Sequence, residues 1–98
     1  MEYEVTFADS AESDLIALHD FIFDSSGISR ADRYIGRIHQ VCHSLARFPE
    51  RGQSRDDLSA GLRTVPFERR AVIAYRIDGS RVVITRIFYA GRDYESEL

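Results

Sequence analysis

The amino-acid sequence predicts an α+β fold, and three observations carry that prediction. The first residues alternate between polar and apolar with a period of two. Two amphipathic helical patterns follow, separated by Ser25-Ser26-Gly27. The second half holds three strand-like runs, the last two joined by Asp78-Gly79. The expected arrangement is an N-terminal strand, then an antiparallel helical hairpin packed on a C-terminal three-stranded antiparallel sheet. At 98 residues the chain is expected to form a single domain spanning 1–98, with one modest core.

Each element has its own signal. Tyr3, Val5 and Phe7 alternate with Glu2, Glu4 and Thr6, the pattern of a half-buried strand. Asp9 stands where it could cap a helix, and Glu12 lies three residues on, as in a capping box. Ala8, Ala11, Leu15, Leu18 and Ile22 recur at three- and four-residue steps and form one apolar stripe. A second helix is expected from about Ser29 to Arg47, with Ser29 as cap and Asp32 answering it. Its stripe is Ala31, Tyr34, Ile35, Ile38, Val41, Cys42, Leu45 and Phe48, and Pro49 and Gly52 stop it. The short connection favours antiparallel helices. Leu62–Phe67 reads as a strand whose Pro66 demands an edge or a bulge. Ala71–Ile77 and Arg81–Tyr89 read as strands of a hairpin turning at Asp78-Gly79.

Composition excludes several classes. No apolar run approaches the roughly 20 residues of a membrane-spanning helix, and MEYEVTF is not a signal peptide. The one cysteine, Cys42, rules out an internal disulfide and fits a reducing, cytoplasmic setting. Net charge is −3, unlike a domain whose main task is gripping nucleic-acid phosphates, so direct sequence-specific nucleic-acid binding is not expected. Arginines nevertheless outnumber acids between Arg51 and Arg92, so the second half could present a positive face.

Few residue patterns point to chemistry. His39 and His43 have a metal-compatible spacing, but no third and fourth ligands accompany them, and two helix-surface histidines are the expectation. His19 has no evident partner. Cys42 lies in an apolar stripe and reads as a buried structural thiol. No glycine pattern forms a phosphate loop, and Gly36 inside a helix is explained by a close approach of another element. Asp14, Asp20 and Asp24 read as a solvated helix face. Arg86 shares its alternation position with Val82, Ile84 and Phe88, which are apolar. An inward arginine needs a carboxylate or carbonyl partner, so either a structural ion pair or a functional role fits it. Tyr89 reads as a packed aromatic that could line a site.

The order of these pieces resembles the ParE branch of the RelE/ParE toxin superfamily. Ala11, Asp14-Leu15 and Phe21-Ile22 resemble the family's first helix, and Ala31, Tyr34 and Ile38 its second. Phe48-Pro49, Gly52 and Arg55-Asp57-Leu58 are similar to its P..G..R.DL segment, and Gly61-Leu62-Arg63 opens the next strand. Tyr75 and Ile77 fit the central strand. Val82-Ile84, Arg86-Ile87 and Gly91-Arg92-Asp93 resemble the ending V.I.RI.HG.RD, with Tyr89 in place of the histidine.

The resemblance implies a RelE/ParE-like fold and the toxin half of a toxin–antitoxin pair. It implies a ParD-like antitoxin partner, a hetero-oligomer with it, and DNA gyrase as target. The target surface would be Arg63, Arg86, Tyr89, Arg92 and Asp93. Antitoxin contacts are expected along the helical hairpin at Leu18, Ile22, Tyr34 and Ile38. No cofactor or metal is implied. The RelE branch instead cleaves messenger RNA on the ribosome, which requires groups that move protons and stabilise a charged phosphorane. This chain has no lysine, and all 13 of its Lys and Arg residues are arginine. Arginine stays charged and is a poor proton shuttle. A nuclease would have to use Arg63, Arg86 and Tyr89. A pure interaction module is the third reading.

Overall fold

The computed structural model describes residues 2–89. Strand β1 (Glu4–Phe7) leads into helix α1 (Asp9–Ser26), and helix α2 (Ile28–Ser44) follows after Gly27 alone. Strands β2 (Gln53–Ser54), β3 (Leu62–Phe67), β4 (Ala71–Asp78) and β5 (Arg81–Tyr89) complete the order. Gly27 permits the one-residue connection because its φ of 87° is open to glycine and strained for other residues. Its N–H bonds to the Phe23 carbonyl and closes α1.

The expected α+β architecture is present, with a larger sheet than the sequence indicated. Five strands lie in the order β1-β5-β4-β3-β2 among the described residues. The antiparallel trio β3, β4 and β5 was expected. β1 adds to β5 in parallel, with Val5 opposite Val82 and Phe7 opposite Ile84, and β2 adds to β3. Both additions are non-local or very short, so local alternation could not reveal them. Pro66 stands on β3 beyond the two residues that β2 covers, where a missing N–H is tolerated.

Helix ends differ from the sequence reading. Ala8 is the N-cap of α1 and Gly27 that of α2, and neither supplies a side-chain bond. Asp9 and Ser29 are therefore not caps, and α2 ends at Ser44 rather than Arg47. The Asp32 carboxylate instead meets Nε2 of His19 at 2.8 Å, so His19 has a partner across the helical hairpin.

The core lies between the helices and one face of the sheet. Ala11, Leu15, Leu18 and Ile22 of α1, with Ala31, Ile38 and Cys42 of α2, pack on Val65, Ile73, Tyr75, Val82, Ile84 and Ile87. Cys42 is fully buried, and burial pushes its thiol pKa up to about 12. The other face carries a smaller cluster of Leu62, Ala74 and Phe88, with Leu58 against it. Phe88 therefore faces away from Val82 and Ile84, contrary to the simple alternation. A β-bulge explains the change. Tyr75 pairs with Ile84 but Ala74 pairs with Arg86, which leaves Thr85 as the extra residue. One inserted residue exchanges the faces of everything after it, so Ile87 joins the helix-side core and Phe88 leaves it.

Tyr75 ties the loop before β2 to the sheet. Its hydroxyl donates to the Pro49 carbonyl at 2.7 Å and accepts the Gly52 N–H at 2.8 Å. A Cβ on Gly52 would lie 2.6 Å from that hydroxyl and 2.9 Å from the Thr64 carbonyl oxygen, so no side chain fits. Gly36 is the opposite case. It is exposed, and nothing lies within 4 Å of its would-be Cβ, so the close approach expected there does not exist. The two glycines should respond oppositely to alanine. Gly52→Ala is expected to destabilise the fold by about 1–3 kcal/mol through overpacking. Gly36→Ala should stabilise it by roughly 0.5–1 kcal/mol through helix propensity. Chemical denaturation of the two variants measures both signs.

Candidate functional site

The chain segment that leaves β1 builds the first cluster. β1 ends at Phe7, so from Ile84 onward β5 would present unpaired backbone groups at the sheet edge. The start of α1 satisfies them in turn. Ala8 N–H donates to the Ile84 carbonyl at 2.9 Å, and the Ser10 hydroxyl to the Thr85 carbonyl at 2.6 Å. The Asp14 carboxylate accepts the Ile87 N–H at 2.8 Å. The same carboxylate takes a two-pronged bond from Arg86, with Nε at 2.7 Å and the second guanidinium nitrogen at 3.1 Å. Asp14 keeps only 12% of its side-chain surface and Arg86 24%. The Arg86 guanidinium also lies 4.8 Å over the Phe88 ring. Asp14 is thus not part of a solvated face. Its sequence spacing carried the signal, since it lies three residues after Ala11 and four before Leu18, both members of the buried stripe.

Arg63 is also committed to backbone. One of its guanidinium nitrogens donates to the Glu50 carbonyl at 3.1 Å and to the Gly52 carbonyl at 2.8 Å, which pins the loop that Tyr75 holds.

Tyr89 stands elsewhere. β3 places Arg63 opposite Tyr75, whereas Tyr89 of β5 is opposite Ala71. Four strand residues separate those positions, roughly 13 Å along the sheet. Arg86 is opposite Ala74, on the face of the smaller cluster, before its side chain reaches round the edge to Asp14. The three residues named for acid–base chemistry therefore do not converge. Arg92 and Asp93 lie outside the described residues.

Of the expected antitoxin contacts, three are interior. Leu18 and Ile22 are nearly covered and Ile38 is fully buried, because the stripes that mark them face the sheet. All three belong to the hydrophobic core and not to an exposed contact surface. The large apolar side chains exposed on the helices are Ile16, Phe21, Phe23 and Ile28. Tyr34 is half-buried and borders a cleft.

That cleft, of about 500 Å³, is the second cluster. It lies among the C-terminal end of α1, the first half of α2, the β3–β4 turn and the end of β5. Phe21, Tyr34 and Tyr89 supply its aromatic wall. Tyr34 packs edge-on against Tyr89 at 5.7 Å and against Phe67 at 5.3 Å, and Phe21 against Tyr89 at 5.8 Å. Arg30, Arg33 and Arg37 line it from α2, and Glu68 and Arg70 from the turn. Arg37 holds Glu68 with two bonds of 2.7 and 3.0 Å, and this bond keeps the Glu68 carboxyl below its ordinary pKa. Glu68 and Arg69 both adopt positive φ, 47° and 67°, a conformation costing non-glycine residues about 1–2 kcal/mol each. Burial, then the neighbouring Tyr89 and Glu68, pushes the Tyr34 hydroxyl up to about 12. That hydroxyl is buried and has no hydrogen-bond partner among the described residues. Sequence reading missed the arginine row, although the 30, 33, 37 spacing puts all three on one helical face.

His39 and His43 stack on one another with centroids 6.1 Å apart and meet the Phe7 ring at 5.1 and 6.0 Å. Burial, then His43, lowers the His39 pKa. No group of three potential metal ligands occurs among the described residues.

Comparison with known proteins decides the family. The family model described as the ParE toxin of the type II toxin–antitoxin system, parDE, matches residues 5–94. This chain belongs to the ParE toxin family. Toxin ParE3 of Caulobacter vibrioides is 38% identical over 77 residues, covering 79% of this chain and 76% of that protein. Among solved structures, the chromosomal ParDE toxin–antitoxin system of P. aeruginosa matches with a TM-score of 0.80 at 23% identity, over 91% of this chain and 97% of that one. The toxin–antitoxin complex RelBE2 of Mycobacterium tuberculosis matches with a TM-score of 0.71 at 25% identity, over 91% and 99%. The ParE-type chain is therefore a type II toxin with the helical hairpin and mixed sheet of its neighbours. No helix among its described residues is long and apolar enough to cross a membrane.

If Arg63 serves the frame of this ParE-type chain, removing its side chain should loosen the loop it pins. Arg63→Ala is expected to cost about 1–3 kcal/mol, because two carbonyls lose a charged donor. The loss would appear as a lower melting temperature and faster amide exchange at Gly52.

Proposed function

We propose that this ParE toxin acts by binding DNA gyrase and is neutralised by a ParD-like antitoxin with which it forms a hetero-oligomer. Family membership and the likeness to Toxin ParE3 support the toxin role. The neighbouring structures, which carry antitoxins in their names, support the partner.

One observation carries the preference for binding over catalysis. Arg63 is spent on the carbonyls of Glu50 and Gly52, Arg86 on Asp14, and Tyr89 lies about 13 Å of strand away from the Arg63 register. Phosphodiester cleavage needs a base, an acid and a charge clamp within hydrogen-bond reach of one bond. Docking needs none of these. Tyr89, with Arg92 and Asp93 beyond the described residues, forms the target surface in this reading, since tyrosine and arginine anchor protein interfaces well. The exposed Ile16, Phe21, Phe23 and Ile28 give the antitoxin apolar surface to cover.

Expression without an antitoxin should arrest growth, and the purified chain should inhibit supercoiling by gyrase or trap its cleavage complex. An Arg92→Ala, Asp93→Ala variant should lose about tenfold or more of that inhibition while melting as the wild type does. Unchanged gyrase activity together with codon-phased cleavage of messages in a translation extract would replace this reading with a ribosome-dependent endoribonuclease.

A further inference from the structure

We propose that the cleft between the helical hairpin and the β3–β4 turn is a carboxylate-recognition site, which takes an acidic segment of the protein partner between Arg30, Arg33 and Arg70. The proposal rests on the reading that the chain has a protein partner, and deepens it by naming the chemistry of the contact.

The charge of the cleft suits an anion. The whole chain is acidic at −3, yet this cleft is lined, among the described residues, by four arginines and one acid. That acid, Glu68, is already bound by Arg37 through both oxygens. Among the described residues, Arg30, Arg33 and Arg70 have no carboxylate partner. Three arginines around one concavity repel each other, and an entering anion relieves that repulsion.

The aromatic wall suits a peptide. Phe21, Tyr34 and Tyr89 offer apolar contact beside the cations, the combination that suits a segment of alternating acidic and apolar side chains. Nucleic acid would also offer anions. The acidic balance of the rest of the surface disfavours a long polyanion, whereas a short peptide meets only the local field.

The Tyr34 hydroxyl is an unmet buried donor among the described residues, and with a pKa pushed up to about 12 it keeps its proton at neutral pH. A carboxylate that parts the side chains above it supplies the missing acceptor. Removing this hydroxyl should therefore have opposite effects in the two states. In the free chain it relieves an unsatisfied group, and in the complex it removes a hydrogen bond.

The test titrates the full chain with a short peptide of glutamate and leucine, and with its counterpart carrying glutamine for every glutamate. The wild type should bind the glutamate peptide about tenfold or more tightly than the glutamine one. Arg33→Gln with Arg70→Gln should abolish the difference. Arg81→Gln, on the far end of the sheet and outside the cleft, should keep it. Tyr34→Phe should melt no lower than the wild type and bind the glutamate peptide several-fold more weakly. Equal affinity for the two peptides would overturn the proposal, as would tighter binding of a short single-stranded RNA through the same arginines. Self-association of the chain that the double variant abolishes would also overturn it, by assigning the cleft to a second copy. The partner reading is judged separately. If the ParD-like antitoxin binds the double variant as tightly as the wild type, the cleft proposal fails and the partner stands. If it does not bind the wild type, the partner reading itself fails.

Discussion

The carboxylate of Asp14 is the contact on which this fold turns. It sits on α1 and satisfies two groups of β5 at once, the Ile87 amide and the Arg86 guanidinium. Sheet edges are open hydrogen-bonding templates unless something covers them. Here β1 covers the first half of β5, and Ala8, Ser10 and Asp14 cover the next stretch as the chain turns into α1. The cover fixes α1 along β5. The α1 stripe then faces the sheet, α2 folds back over Gly27, and the core closes. The bulge at Thr85 belongs to the same join, because it turns Ile87 into the core and brings Arg86 to the edge where Asp14 waits.

This economy has a functional consequence. An arginine that is paired, bidentate and mostly covered gives a partner little to hold. Arg86 and Arg63 keep the frame in place, whereas Arg30, Arg33 and Arg70 line the cleft between α2 and the β3–β4 turn, where the recognition proposed above would act. Frame and cleft thus use the same residue type with different commitments. Only the geometry separates them, since nothing in composition distinguishes Arg86 from Arg33. The strained turn at Glu68 and Arg69 fits this division. Arg37 grips Glu68 there, and Arg70, next in the turn, lines the cleft.

Local pattern made much of the fold legible. The stripes gave both helices, the period of two gave β1, and the hairpin signal gave β4 and β5 to within a residue or two. Non-local pairing was hidden, because β1 joins β5 across more than seventy residues of chain and leaves no mark in its own alternation. The bulge was hidden for a related reason. Strict alternation grouped Phe88 with Val82, and one extra residue broke that rule without changing the composition. The apolar stripes do mark Leu18, Ile22 and Ile38, but periodicity alone does not say whether a stripe meets the sheet or a partner, and here these three fill the core. For the candidate site the sequence pointed to Arg86 as an inward charge but not to its partner. Asp14 neighbours the stripe in sequence, but its place beside Asp20 and Asp24 equally suits a solvated face. Gly36 carried no information about packing, since its surroundings are open.

A double-mutant cycle on Asp14 and Arg86, read with amide exchange at Ile87, tests this account most directly. Asp14→Ala, Arg86→Ala and the double variant should give a coupling energy of about 1–3 kcal/mol, as expected for contacting charged groups. Protection at the Ile87 amide should fall whenever Asp14 is absent and persist when Arg86 alone is removed. Additive effects with an Ile87 amide indifferent to Asp14 would contradict the claim that this carboxylate joins the helical layer to the sheet.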